Sequence, residues 1–168
     1  RARLPRRPLM VGHHIVLVGL MGSGKTTVGR RLADRLGRPF VDTDERVEHS
    51  SGRSVREIFE ADGEDRFRDY EHVALSDAIG SSAPTVIAAA GGAVVREDNR
   101  RLLLDQDVIW LRAETSVLVE RVGRRGRRGH RPLIDADPAV RLAELARDRA
   151  GFYLQVARDV IDVDGKTI

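Results

Sequence analysis

The chain has 168 residues, 41% apolar and 33% charged, a composition that fits one globular domain able to bury about 70% of its unfolded surface. No apolar run approaches the roughly 20 residues that span a bilayer, which excludes a transmembrane helix, and the lack of cysteine excludes disulfides, thiol catalysis and cysteine-ligated zinc. The formal net charge is +3, the five histidines show no metal-ligand spacing, and the cysteine-free composition fits the cytoplasm.

The opening "RARLPRRPLMVG", residues 1–12, has basic residues but no apolar core of signal-peptide length. It reads as a loose arm ahead of a domain over 13–168, with Met10 a candidate natural start. Strand-type apolar runs follow at 14–18 ("HIVLV"), 39–42 ("PFVD"), 85–90 ("TVIAAA"), 107–111 ("DVIWL") and 159–163 ("DVIDV"). Helical patterns lie between them. Val28, Leu32 and Leu36 recur every four residues, Ser54 and Glu57 form a capping box with Gly63 as a stop, and Phe67, Tyr70, Ala74 and Ala78 share one face. This alternation predicts a single α/β domain, layered α/β/α, with a five-stranded parallel sheet and right-handed crossovers. The aperiodic stretch of about 123–137 is long for a compact domain, and such loops are functional or disordered.

After the first strand, "GLMGSGKT" (Gly19–Thr26) satisfies G-x-x-x-x-G-K-[ST], the phosphate-binding P-loop. Glycines let the backbone wrap closely, so that successive N–H groups point at phosphate oxygens, and the helix N-terminus adds partial positive charge. The predicted nucleotide contacts are Gly22, Ser23, Gly24, Lys25, Thr26 and Thr27. Lys25 is placed to reach the β- and γ-phosphates of ATP, and the Thr26 hydroxyl to ligate Mg²⁺.

The second strand runs into "DTD". In an extended segment Asp42 and Asp44 share a face, at the strand end where open α/β sheets bind ligands. One carboxylate can hold Mg²⁺ while the other takes a proton or hydrogen bond from a substrate hydroxyl; a solvated acidic turn is the plainer reading. Arg68, in "GEDRFRDYE", can offer its planar fork to a carboxylate or simply form a surface ion pair. Gly91 and Gly92 end the third strand, where a ligand approaches the backbone or the chain merely turns. The run "RVGRRGRRGHR" carries six arginines within Arg121–Arg131. Without interleaved aromatics it suits a loop closing on phosphate better than a nucleic-acid surface.

Together "GLMGSGKT", "DTD", "GRSVREIFEADGEDRFR", "GGAV", "RPL" and R-x-x-F-Y (Arg149–Tyr153) resemble shikimate kinase, a small P-loop kinase related to the nucleoside monophosphate kinases, over nearly the whole chain from His14 to about Gly165. The resemblance implies phosphorylation of shikimate to shikimate 3-phosphate, with ATP as co-substrate and Mg²⁺, in aromatic amino-acid synthesis. It assigns Lys25 to phosphate, Thr26 with Asp42 to Mg²⁺, and Asp44 to the acceptor hydroxyl. Arg68 and Arg149 become a carboxylate clamp, Gly91 and Gly92 lend backbone to the substrate, Arg121 lies near the base, and Arg131 closes over the phosphoryl group on a flexible lid. No membrane partner is expected, a nucleic-acid partner is disfavoured, and the chain is expected to act as a monomer. Ala90 stands where the family usually has the first of three glycines, and family members usually carry a further helix beyond the last strand. Another small-molecule kinase, acting on gluconate or a nucleoside monophosphate, is the alternative, and an RNA-binding module using the arginine run is a third reading.

Overall fold

The computed structural model describes residues 12–125 and 137–166. The strands are β1 (Ile15–Val18), β2 (Phe40–Asp42), β3 (Val86–Ala88), β4 (Asp107–Arg112) and β5 (Asp159–Asp162). Between and around them run α1 (Lys25–Leu36), α2 (Thr43–Ser51), α3 (Val55–Ile79), α4 (Glu97–Leu104), α5 (Thr115–Arg125) and α6 (Pro138–Val156), with one 3₁₀ turn at Ala93–Val95. All strand pairs are parallel and the order is β2-β3-β1-β4-β5. The five predicted strands are each present, four of them trimmed by a residue or two at their ends and β4 one residue longer than expected.

Central β1 is buried on both faces, as its unbroken apolar run requires. Its alternate residues divide the core. Val16 and Val18 join Leu75, Ile87, Trp110, Leu142 and Tyr153 on the side of α3, α4 and α6. Ile15 and Leu17 join Ala33, Val86 and Leu111 on the side of α1. The result is the three-layer α/β/α arrangement. A satellite cluster of Val47, Ile58, Phe67 and Ala74 ties α2 to α3.

Local chemistry sets the helix ends. The Ser54 and Glu57 capping box is fully formed, and Gly63 breaks α3 at φ 80° rather than ending it, so the chain resumes as helix on the far side. On α1 the sheet-facing residues are Gly29 and Ala33, with Val28 and Leu32 flanking and Leu36 left exposed. The Phe40 ring fills the space above Gly29, where a Cβ would come within 2.5 Å of it.

One expectation changes at β2. The strand ends at Asp42, which caps α2 by accepting a hydrogen bond from the Asp44 amide at 3.0 Å. Asp44 therefore lies in the first helical turn, not in an extended segment. A carboxylate two residues before a free amide is a strong helix start, and it outcompetes continued extension.

Candidate active site

The order of the sheet reverses at β1, whose neighbours are β3 and β4, so the crevice beyond the strand C-termini opens there. The loop leaving β1 enters it. Gly19, Gly22 and Gly24 take φ values of 141°, 82° and 94°, a succession that only glycine adopts without strain. A Cβ on Gly19 would stand 2.5 Å from the Leu111 carbonyl oxygen, so this glycine is needed for space as well as conformation. Gly24 caps α1 through backbone alone, leaving the first amides of the helix facing the crevice. Lys25 folds back across its own loop and donates to the Gly19 and Leu20 carbonyls at 2.8 and 3.1 Å. Ser23 is buried, and Thr26 and Thr27 are half-buried in the first turn of α1.

The end of β2 and the first turn of α2 carry the acidic pair. Thr26 Oγ1 donates to Asp42 Oδ2 at 2.6 Å, joining the P-loop helix to β2. A hydroxyl and a carboxylate side by side, next to a phosphate cradle, are hard oxygen donors of the kind Mg²⁺ takes while keeping waters and phosphate oxygens for its other positions. No group of three or more His, Cys, Asp or Glu side chains stands ready for a metal among the described residues. Thr43, between the two aspartates, is buried and accepts from the Ala90 amide at 2.8 Å. Among the described residues none other than glycine has positive φ, so Ala90 sits in ordinary backbone with its amide satisfied.

Across the crevice stands a charged cluster. Arg68 reaches Glu71 through Nη1 and Glu64 through Nη2, the latter at 2.6 Å. Its guanidinium lies where a Gly92 side chain would be, which explains the glycine. Arg149, buried on α6, donates to the Gly91 carbonyl at 2.9 Å, and Tyr153 one turn later donates to the same oxygen at 2.7 Å. Burial pushes the Glu71 carboxyl up to about 7, against the pull of Arg68 and with the nearby Asp44 charge adding to the rise. Burial likewise lowers Arg149, and the neighbouring Arg68 charge lowers it further. For Arg68 burial acts downward, but Glu71 and then Glu64 outweigh it. Arg149 is buried and Arg68 half-buried, and both border the same crevice with planar forks of the kind that pair with an anionic substrate group.

The fold thus brings Asp42, Asp44, Arg68, Gly91, Gly92 and Arg149 to one end of the sheet beside the P-loop. Arg121 lies on α5 and donates to the Gly22 and Val163 carbonyls at 3.4 and 3.1 Å, spanning from the phosphate loop to the turn after β5. Arg131 and residues 126–136 of the expected lid lie outside the described residues, as do residues 1–11 of the expected arm. Sequence reasoning missed Thr43 and Tyr153 and gave Glu71 no role. Thr43 and Tyr153 act through contacts formed only when distant segments meet, although Tyr153 falls inside the R-x-x-F-Y pattern, whereas Glu71 pairs with Arg68 three residues before it on α3.

Comparison with known proteins gives a consistent result. The shikimate kinase family model matches residues 21–168. A shikimate kinase of Symbiobacterium thermophilum is 50% identical over 92% of this chain and 89% of its own. One from Ruegeria pomeroyi is 43% identical over 91% of this chain and 77% of its own. The solved structure of an Acinetobacter baumannii shikimate kinase in complex with shikimate superposes with a TM-score of 0.86 at 36% identity, covering 93% of this chain and 86% of that one.

Proposed function

The chain belongs to the shikimate kinase family, and from that premise we infer that it transfers the γ-phosphoryl group of ATP to a hydroxyl of shikimate, giving shikimate 3-phosphate and ADP in the route to aromatic amino acids. The observation that carries the reading is the placement of a phosphate cradle, an acidic residue and an arginine pair around one crevice.

In this reading the P-loop amides of Gly22, Ser23 and Gly24, with Lys25, Thr26 and Thr27, hold the triphosphate. Arg68 and Arg149 pair with the shikimate carboxylate and fix one end of the ring. That grip aims the opposite side of the ring at Asp44, which accepts the hydrogen of the attacking hydroxyl as partner or general base. The hydroxyl oxygen forms the new bond to phosphorus as the bond to the ADP oxygen breaks, and the proton passes to Asp44 or solvent. Gly91 and Gly92 bring backbone to the acceptor, and Arg121 lies beside the base. Thr26 and Asp42 would hold Mg²⁺, which when bound neutralises charge on the β- and γ-phosphate oxygens. Arg131 and the segment of about 123–137, as a lid over the transferring group, enter through the family resemblance alone. Among the described residues no helix is long and apolar enough to cross a membrane. We place the enzyme in the cytoplasm, where ATP is supplied, and acting as a monomer without nucleic acid.

The test is ADP release in the presence of Mg²⁺ and ATP, with shikimate, gluconate or no acceptor. Turnover with shikimate only is the expected result. Equal or faster turnover with gluconate would overturn the assignment of the acceptor.

A further inference from the structure

The Gly91 carbonyl oxygen receives two donors from a single helix. Arg149 Nη1 stands 2.9 Å away and the Tyr153 hydroxyl 2.7 Å, the two residues one turn apart on α6. One of those donors already has another task in the functional reading, because Arg149 is the proposed partner of the substrate carboxylate. Tyr153 has none. It is 1% exposed, its ring stacks on Trp110 at 5.3 Å between centroids, and its only exit from the core is the hydroxyl aimed at Gly91.

The Gly91–Gly92 turn is enclosed on three sides. A Cβ on Gly91 would meet the Gly19 carbonyl oxygen at 3.3 Å and the Met21 amide at 3.6 Å, so the P-loop backs it directly. Arg68 lies against Gly92. Residues of α6 hold the Gly91 oxygen. Among the described residues every peptide bond is trans, so the Gly92 N–H points opposite to that oxygen, away from α6. Neither the Gly91 nor the Gly92 amide donates to a protein acceptor among the described residues. A peptide between two glycines has little of its own to stop it from flipping. The grip on its oxygen therefore decides where its N–H points.

We propose that Tyr153 is a positioning residue for the acceptor: its hydroxyl locks the Gly91–Gly92 peptide so that the Gly92 amide faces the substrate, and it keeps that lock while Arg149 turns toward the carboxylate. The phenol is suited to this because burial pushes its proton loss far above the ordinary range, so it stays a donor at every working pH. The division of labour is specific. Arg149 binds substrate and Tyr153 does not touch it, yet both act on acceptor affinity. This inference rests on shikimate being the acceptor.

Tyr153→Phe tests it, since the variant keeps the ring, the stack on Trp110 and nearly all the volume. The expected result is a KM for shikimate raised about three- to tenfold, the worth of one lost hydrogen bond, with KM for ATP unchanged within about twofold. Trp110 is the single tryptophan, so an unaltered emission spectrum reports that the stack is intact. In nitrogen–proton correlation spectra, the shikimate-induced shift of the Gly92 amide seen in the wild type shrinks in the variant. An unchanged KM for shikimate overturns the inference. So does an equal rise in both KM values with a red-shifted Trp110 emission, which marks a core residue and nothing more. A wild-type protein that never turns over shikimate overturns the functional reading itself and this inference with it; a working wild type with an indistinguishable variant overturns the inference alone.

Discussion

Thr26 and Asp42 meet hydroxyl to carboxylate at 2.6 Å, joining the first turn of the P-loop helix to the end of the neighbouring strand. Two hard oxygens held together by separate elements form a preorganised pair, with no chain segment to fold before an ion can be held. Asp42→Asn leaves the shape and removes the charge. It is expected to raise the Mg²⁺ concentration for half-maximal velocity by about 10- to 100-fold, on the scale of lost metal-site partners. A Mg²⁺ titration that superposes on the wild type would show that the ion is held elsewhere.

Asp44 sits in the first turn of α2, half-buried and close enough to Glu71 for its charge to act there. Asp44→Asn retains size and loses the ability to accept a proton. Turnover should fall about 100- to 10,000-fold, the range for a missing general base, while ATP affinity stays within about twofold. Calorimetric titration of nucleotide alongside steady-state rates separates the two. A variant with normal turnover would remove Asp44 from the chemistry.

Glu71 supplies a pH signature. Its folded carboxyl titrates at about 7 against an ordinary value of 4.5, chiefly through burial. A raised carboxyl binds its proton more tightly folded than unfolded, so its stabilising contribution is full below about pH 4.5 and is lost as pH rises through about 7. Glu71→Gln cannot ionise. From pH 5 to 8 the wild type should therefore lose stability relative to the variant, by on the order of 2–3 kcal/mol. Urea unfolding of both proteins across that range is the check, and parallel curves would contradict the assignment.

Ala90 and Thr43 make a fourth case. The Ala90 amide is buried and donates to Thr43 Oγ1 at 2.8 Å, so the alanine methyl costs nothing in conformation and the amide is already engaged. Thr43→Val should destabilise by about 1–3 kcal/mol, because it leaves that amide without an acceptor. Ala90→Gly should lower stability by only about 0.4–1 kcal/mol, through added freedom in the unfolded chain, and leave turnover within about twofold. A large gain in rate for Ala90→Gly would mean that the methyl obstructs the site.

The contrast between these residues explains what was legible in the sequence. The P-loop, the Ser54 and Glu57 capping box and the five strands are local: each is written in spacing, in glycine placement or in unbroken apolar runs. Arg68 and Asp44 were singled out through the pattern of motifs around them, and the fold brings both to one crevice. The backbone at Asp44 was not, because the Asp42 cap decides between strand and helix within two residues. Nor were the bonds from Thr43 to Ala90, or from Arg149 and Tyr153 to Gly91. These join segments 47, 58 and 62 residues apart, and no periodicity records such a meeting. On α1, Val28, Leu32 and Leu36 suggested the buried stripe, but the closest approach to the sheet is made by Gly29, whose missing side chain admits Phe40. Small residues that make room carry no hydrophobic signal.

The central claim is that phosphate leaves ATP for a shikimate hydroxyl and not for water. Phosphorus NMR of a reaction containing enzyme, Mg²⁺, ATP and shikimate tests it most directly. One new phosphate-ester resonance should grow in step with ADP and be lost in Asp44→Asn. Inorganic phosphate growing in step with ADP, at the same rate with or without shikimate, would contradict it.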